Sequence, residues 1–219
     1  MQASLVAVAR LPYPTPAALR ALARRDPRLG RALRRLGPFP RPSARREASH
    51  FHALARAIVY QQLAGRAAAT IHGRVCALTA GRGFPTPAEL LALGERELRG
   101  AGLSRNKLLA LRDLAERIES GRLQLRRAAV LSDEALVERL VAVRGIGEWS
   151  AQMFLMSRLG RLDVLPATDL GIREGLRRLD ELAERPAPGE VLERGAVWSP
   201  LRSVASWVLW RLTDEPSER

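Results

Sequence analysis

The chain holds a single cysteine, Cys76, in 219 residues. That excludes an internal disulfide, and it excludes any iron–sulfur cluster or zinc site built on four cysteines. Cys76 lies in an apolar-periodic run and is expected to pack in a core. Histidine is scarce too: His50, His52 and His72 include no pair at the i, i+4 spacing that puts two ligands on one helix face, so zinc is not expected. Lysine is nearly absent, with Lys107 alone. No apolar run reaches the ~18–20 residues of a membrane span. Met1 to Ala9 lacks the basic start of a secretion signal. A reduced, cytoplasmic setting without membrane contact is the expectation.

Arginine is what the chain has in excess. Lys+Arg of 36 against Asp+Glu of 23 leaves a formal charge of +13. Such an excess favours a polyanionic partner through phosphate contacts that release counterions. An arginine- and alanine-rich chain also follows from genome base composition, so charge alone leaves both readings open.

No internal repeat stands out, and the chain reads as almost entirely helical. Ser4 to Val8 is a candidate short strand. Thr15-Pro16 opens a helix, with threonine as N-cap and proline at the first helical position. Asp26 starts a second helix, closed by Gly37. Pro38, Pro40 and Pro42 make a stiff connection and a candidate boundary. Apolar periodicity returns with Phe51, Leu54, Ala55, Ile58 and Val59. It breaks at Gln61-Gln62-Leu63 and resumes from Ala67 to Thr79. Thr86-Pro87-Ala88-Glu89 is a capping box. Ser104 caps a long helix stopped by Gly121, and Ser132 caps another. Further helices are expected from Asp169, from about Pro188, and over Leu201 to Leu212, with a frayed tail at 213–219. The expected architecture is all-α: residues 1–45 as an N-terminal extension packed on a core of two helical lobes at 46–212, with a cleft between the lobes.

One stretch organises the rest, Val141-Ala142-Val143-Arg144-Gly145-Ile146-Gly147-Glu148-Trp149. Two glycines around one aliphatic residue allow a very tight turn between helices. The N–H groups after the turn sit at a helix N-terminus, where they favour a phosphate. Ile146 would pin the turn to both helices. An ordinary helix–helix turn with a glycine cap fits the same residues.

Asp169 follows after Leu165-Pro166-Ala167-Thr168. Gly145 to Ala151 with Asp163 to Gly171 resembles the helix-hairpin-helix DNA glycosylases, and more narrowly the 3-methyladenine DNA glycosylase II branch. Ile58 to Leu63, Gly102 to Lys107 and Trp198 to Ala205 agree with it. The resemblance covers residues 45–212. It implies two helical lobes with a lesion pocket between them, and a monofunctional enzyme of base excision repair. Such an enzyme flips an alkylated purine of the 3-methyladenine or 7-methylguanine type from double-stranded DNA and hydrolyses its N-glycosidic bond.

The resemblance assigns Asp169 as the catalytic carboxylate; read alone, Asp169 is a helix N-cap. Members that also cut the strand have a lysine where Trp149 stands, and tryptophan cannot form the Schiff base. Trp149, Trp210, Tyr60 and Met153 are expected to line the lesion pocket, with Trp198 and Trp207 in the core. Gln62 or Leu63 is the expected wedge into the gap left by the flipped base; a polar pair at a helix end is the other reading. Gly145, Gly147 and Arg144 are expected at the DNA backbone. Arg105, Lys107 and Arg202 either touch phosphates or hold helix ends. The resemblance also implies a sodium or potassium ion on the carbonyls of Val141, Val143 and Ile146. No cofactor is expected to be needed for catalysis, and no iron–sulfur cluster.

Three positions depart from the family pattern: Arg144 replaces a frequent proline, Thr168 a frequent acid, and Met153 an aromatic ring found in some members. A glycosylase for uracil, hypoxanthine or an oxidised purine, and a DNA-binding module without catalysis, are the competing readings. The expected form is a monomer working at the nucleoid in the cytoplasm.

Overall fold

The structure is a computed structural model that describes residues 12–40, 49–81 and 83–214. The candidate strand at Ser4 to Val8 and the end of the tail lie outside the described residues. The elements among the described residues are helices, joined by turns and two short 3-10 segments, with no strand.

Capping side chains set where most helices begin. Thr15, Asp26, Ser49, Thr86, Ser104, Ser132 and Asp169 each accept a hydrogen bond from the backbone N–H three residues on. Each thereby satisfies one of the donors that a helix N-terminus leaves without a partner. These caps open α1 (Pro16–Arg25), α2 (Pro27–Leu36), α3 (His50–Tyr60), α5 (Pro87–Ala92), α7 (Arg105–Glu119), α8 (Asp133–Val141) and α10 (Leu170–Asp180). The others are α4 (Gly65–Cys76), α6 (Glu95–Gly100), α9 (Glu148–Leu159), α11 (Pro188–Gly195) and α12 (Arg202–Asp214). The helix expected over Ala67 to Thr79 starts and stops earlier, as α4. Ala64 precedes it and offers no capping side chain, so the sequence carries no mark of that start.

The chain forms two compact units. Residues 1–43 and Leu159–Arg219 make the first, Ala44–Arg158 the second. In the first, α10 packs along α12, with α2 against both. Leu22, Leu29, Ile172, Leu176, Trp198, Val204, Val208 and Leu209 are its buried core. The approach of α10 to α12 depends on Gly175, where any Cβ would overlap the backbone of Leu209. Asp26, 4% exposed, caps α2 through Leu29 N–H and accepts from the Trp198 indole at 2.7 Å and from Arg194 Nη2 at 2.7 Å. Burial pushes its carboxyl up, but those hydrogen bonds and the charge of Arg194 outweigh burial and hold it below the ordinary aspartate value.

In the second unit α7 packs against α3 and α5. It buries Leu108, Leu111, Leu114 and Ala115, and α3 buries Leu54, Ala55 and Ile58. Cys76 is not a core residue. It ends α4 half-buried, its Sγ 3.7 Å from His72 Nδ1. His52 and His72, 20 residues apart, meet across α3 and α4 with their Nε2 atoms 2.9 Å apart. Trp198 is fully buried as expected, whereas Trp207 is only partly buried, edge-on to Phe39 at the margin of the first unit's core.

Candidate active site

Asp169 stands at the N-terminus of α10 and is half-buried. Its Oδ1 accepts the Ile172 backbone N–H at 2.9 Å and the Trp210 indole N–H at 2.9 Å. The cap expected of Asp169 is therefore formed, and a second donor from α12 reaches the same oxygen. Gly171 makes this possible: a Cβ there would lie 2.9 Å from Trp210 Cδ1 and 3.0 Å from Asp169 Oδ1. Two fixed donors leave the carboxylate one orientation, which suits it to face a cation. Thr168 is exposed, as is Leu170 at 61%.

The other expected pocket residues belong to the second unit. Trp149, in the first turn of α9, is 48% exposed, which is unusual for the largest apolar side chain. Met153, four residues on, is half-buried on the same face of α9. Tyr60 ends α3 with the Arg56 guanidinium 4.0 Å over its ring. That ring face already holds a cation.

The hairpin joins α8 to α9. Gly145 takes φ +77°, a left-handed conformation that glycine adopts without strain. Ile146 is 4% exposed and Val143 1%, so both anchor the turn as expected of Ile146. Val141 is exposed, and Gly147 is exposed at the start of α9. Val143 O accepts the Ile146 N–H at 3.1 Å, which uses one of its two lone pairs. Arg144 has an exposed side chain, and its backbone N–H donates to Asp113 Oδ2 on α7 at 2.7 Å. Ala110 of α7 packs so close that a Cβ at Gly145 would lie 3.1 Å from its methyl.

The Gln61-Gln62-Leu63 turn is exposed at its tip. Gln62 takes φ +54°, uncommon for a side-chain-bearing residue, and Leu63 is 38% exposed. Gln61 turns the other way: its Nε2 donates to Gly145 O at 2.9 Å, joining this turn to the hairpin. Neither Gln61 nor Asp113 is marked by spacing, because their partners lie 84 and 31 residues away.

The three expected cations divide. Arg105 is exposed at the start of α7. Lys107 holds a helix end: its Nζ donates to Val59 O in the last turn of α3 at 2.7 Å, and burial lowers its pKa. Arg202 grips Asp163, Nε to Oδ1 at 2.9 Å and Nη2 to Oδ2 at 2.8 Å.

Each unit thus brings its own candidate group, the fixed Asp169 carboxylate in the first and the half-exposed Trp149 with the glycine hairpin in the second. The comparisons make the family specific. The model of the HhH-GPD superfamily base excision DNA repair proteins matches residues 55–200. The chain belongs to that superfamily. It is 38% identical over 162 residues to DNA-3-methyladenine glycosylase 1 of Schizosaccharomyces pombe, covering 74% of this chain and 71% of that protein. Among solved structures it is similar to the S. pombe 3-methyladenine DNA glycosylase in complex with abasic DNA. The TM-score is 0.78 at 33% identity, over 93% of this chain and 99% of that one. The DNA-3-methyladenine glycosidase of Bacillus halodurans gives a TM-score of 0.81 at 34% identity, over 90% and 88%.

Proposed function

We infer that this chain is a DNA glycosylase that releases alkylated purines from double-stranded DNA by hydrolysis. The observation that carries the reading is the Asp169 carboxylate held by Ile172 N–H and the Trp210 indole. The likeness to 3-methyladenine glycosylases over most of the chain supports it.

Breaking the N-glycosidic bond builds positive charge on the sugar, as in glycoside hydrolysis. A carboxylate at a fixed place near C1′ stabilises that cation and orients the attacking water. An N-alkylated purine already carries a positive charge and leaves as a neutral base, so no general acid is required. The cationic base stacks on an electron-rich ring with a gain of ~0.5–2 kcal/mol, the role assigned to Trp149, with Met153 beside it. Gln62 or Leu63 fills the vacated stack. The base must leave the duplex, at a cost of a few kcal/mol that is least for a damaged base.

The reaction ends at the abasic site. A strand-cutting step needs an amine at C1′. The resemblance puts the lysine of strand-cutting members at the position of Trp149, and the one lysine, Lys107, is hydrogen-bonded to Val59 O. At the hairpin, the carbonyls of Val141, Val143 and Ile146 would hold a sodium or potassium ion. Neutral oxygen donors with a lone pair to spare suit a hard monovalent cation. When bound, that ion would supply positive charge to a DNA phosphate. The exposed backbone at Gly145 and Gly147 and the Arg144 and Arg105 side chains serve the same phosphates. A DNA substrate fits an enzyme that works at the nucleoid, in the cytoplasm.

The test is base release from methylated duplex DNA by the native protein and by Asp169→Asn. Free 3-methyladenine or 7-methylguanine is expected from the native protein alone, with DNA binding intact in both. Borohydride trapping is expected to give no covalent adduct. If neither protein releases an alkylated base while both bind DNA, the alkylpurine reading fails.

A further inference from the structure

Three side-chain bonds in the second unit close a frame around the two turns that face DNA in the reading above, and the inference rests on that reading. Gln61 Nε2 donates to Gly145 O at 2.9 Å, so the wedge turn is tied to the hairpin directly. Lys107 Nζ donates to Val59 O at 2.7 Å, which fixes the last turn of α3 just before the wedge. Asp113 Oδ2 accepts the Arg144 N–H at 2.7 Å, which fixes the hairpin just before Gly145. Lys107 and Asp113 both stand on α7, six residues apart on one rigid helix. α7 is thus the bar of the frame, Lys107 and Asp113 its two arms, and the Gln61–Gly145 bond closes the loop.

We propose that Gln61, with Lys107 and Asp113, positions the wedge against the hairpin, so that gripping the backbone sets where the wedge enters the duplex. Loops joined only by their flanking helices move on nanosecond to microsecond scales. A wedge whose lead-in is held by hydrogen bonds at Val59 and Gln61 has less to order when it inserts, which lowers the cost of flipping. The left-handed Gln62 fits this scheme. Strain at a tip persists where the surroundings over-determine it, and here Gln61 and, at the end of α3, Val59 are both fixed. Gln61 acts through Gln62 and Leu63 and is a positioning residue.

Gln61→Glu is the informative variant. It keeps size and shape, but an ionised carboxylate cannot donate to the Gly145 carbonyl. Three readouts separate the outcomes. The first is 2-aminopurine fluorescence in a duplex with the label beside a tetrahydrofuran abasic analogue. It reports wedge entry without chemistry. The second is affinity for undamaged duplex. The third is alkylpurine release from a paired lesion and from one opposite a mismatch.

The native protein is expected to raise the fluorescence, and Gln61→Glu to lose most of that rise, while affinity for undamaged duplex changes less than about twofold. Base release is expected to fall about tenfold for the paired lesion, with most of the loss recovered opposite a mismatch, where flipping costs less. Full fluorescence in Gln61→Glu overturns the proposal. So does an equal loss of release in both contexts. A parallel loss of affinity for undamaged duplex overturns it as well, by making Gln61 a direct DNA contact. No fluorescence rise with the native protein removes the wedge and the proposal with it. Should the native protein release no alkylated base yet show a fluorescence rise that Gln61→Glu abolishes, the frame stands and the chemical reading alone fails.

Discussion

Trp210 donates its indole N–H to Asp169 Oδ1 at 2.9 Å across the gap between α12 and α10, and Gly171 leaves room for it to do so. The bond makes Trp210 an orienting group for the carboxylate in addition to any ring it offers a base. Trp210→Phe keeps the ring and removes the donor. A hydrogen bond to a charged group is worth roughly 1.5–3 kcal/mol. Base release is expected to fall about ten- to hundredfold, mostly in kcat. Gly171→Ala is expected to produce the same kind of loss by pushing the two side chains apart. Single-turnover kinetics on an alkylated duplex checks both.

Trp149 is exposed, and its proposed role is to stack on a cationic base. Trp149→Ala is expected to raise KM for 7-methylguanine by about 2- to 30-fold, the span of a cation–π contact of ~0.5–2 kcal/mol. A neutral lesion such as hypoxanthine, if processed at all, should be affected less. An equal loss for both would show that Trp149 supplies shape only.

Two helical glycines should answer alanine with opposite signs. Gly73 in α4 has open space where a Cβ would go. Gly73→Ala is expected to stabilise by up to about 1 kcal/mol through helix propensity. At Gly175 the same propensity gain is overwhelmed, because the methyl would overlap the Leu209 backbone. Overpacking of that kind costs about 1–3 kcal/mol or more, so Gly175→Ala should be the less stable protein in urea denaturation.

Asp26 makes a pH prediction. Its pKa is lowered in the folded chain from a reference of 3.8. The stabilisation is therefore fully present above the unfolded carboxylate pKa and is lost as pH falls through the lower folded value. Asp26→Asn at neutral pH removes the charge that Arg194 and the Trp198 indole donate to, while Arg194 keeps its bonds to Asp180, at a cost of about 1.5–3 kcal/mol. Urea midpoints of the two proteins should differ most at pH 6 to 7 and converge below pH ~4. A constant difference down to pH 2 would mean that Asp26 acts by shape.

Local chemistry was legible in the chain. Thr15, Ser104, Ser132 and Asp169 announce helix starts because a cap acts on residues three positions away. Gly145 and Ile146 announce the hairpin because the left-handed turn and its apolar pin are neighbours in sequence. The same locality let Asp169 and Trp149 be singled out by motif. α4 shows the limit: with Ala64 before it, nothing local marked its first turn.

The tertiary structure decided what distance along the chain conceals. It spent Lys107 on Val59 and Arg202 on Asp163, where the sequence left phosphates and helix ends both open. It brought His52 to His72, moved Cys76 out of the core, and laid Arg56 over Tyr60. It assigned Gln61 and Asp113 to the hairpin, and Trp210 to Asp169. The physical reason is the same in each case. A cap or a glycine turn acts over a few residues, so its residue types suffice to find it. The partner of a long polar side chain depends on which helix packing brings within about 3 Å, and no periodicity in one helix encodes the identity of its neighbour.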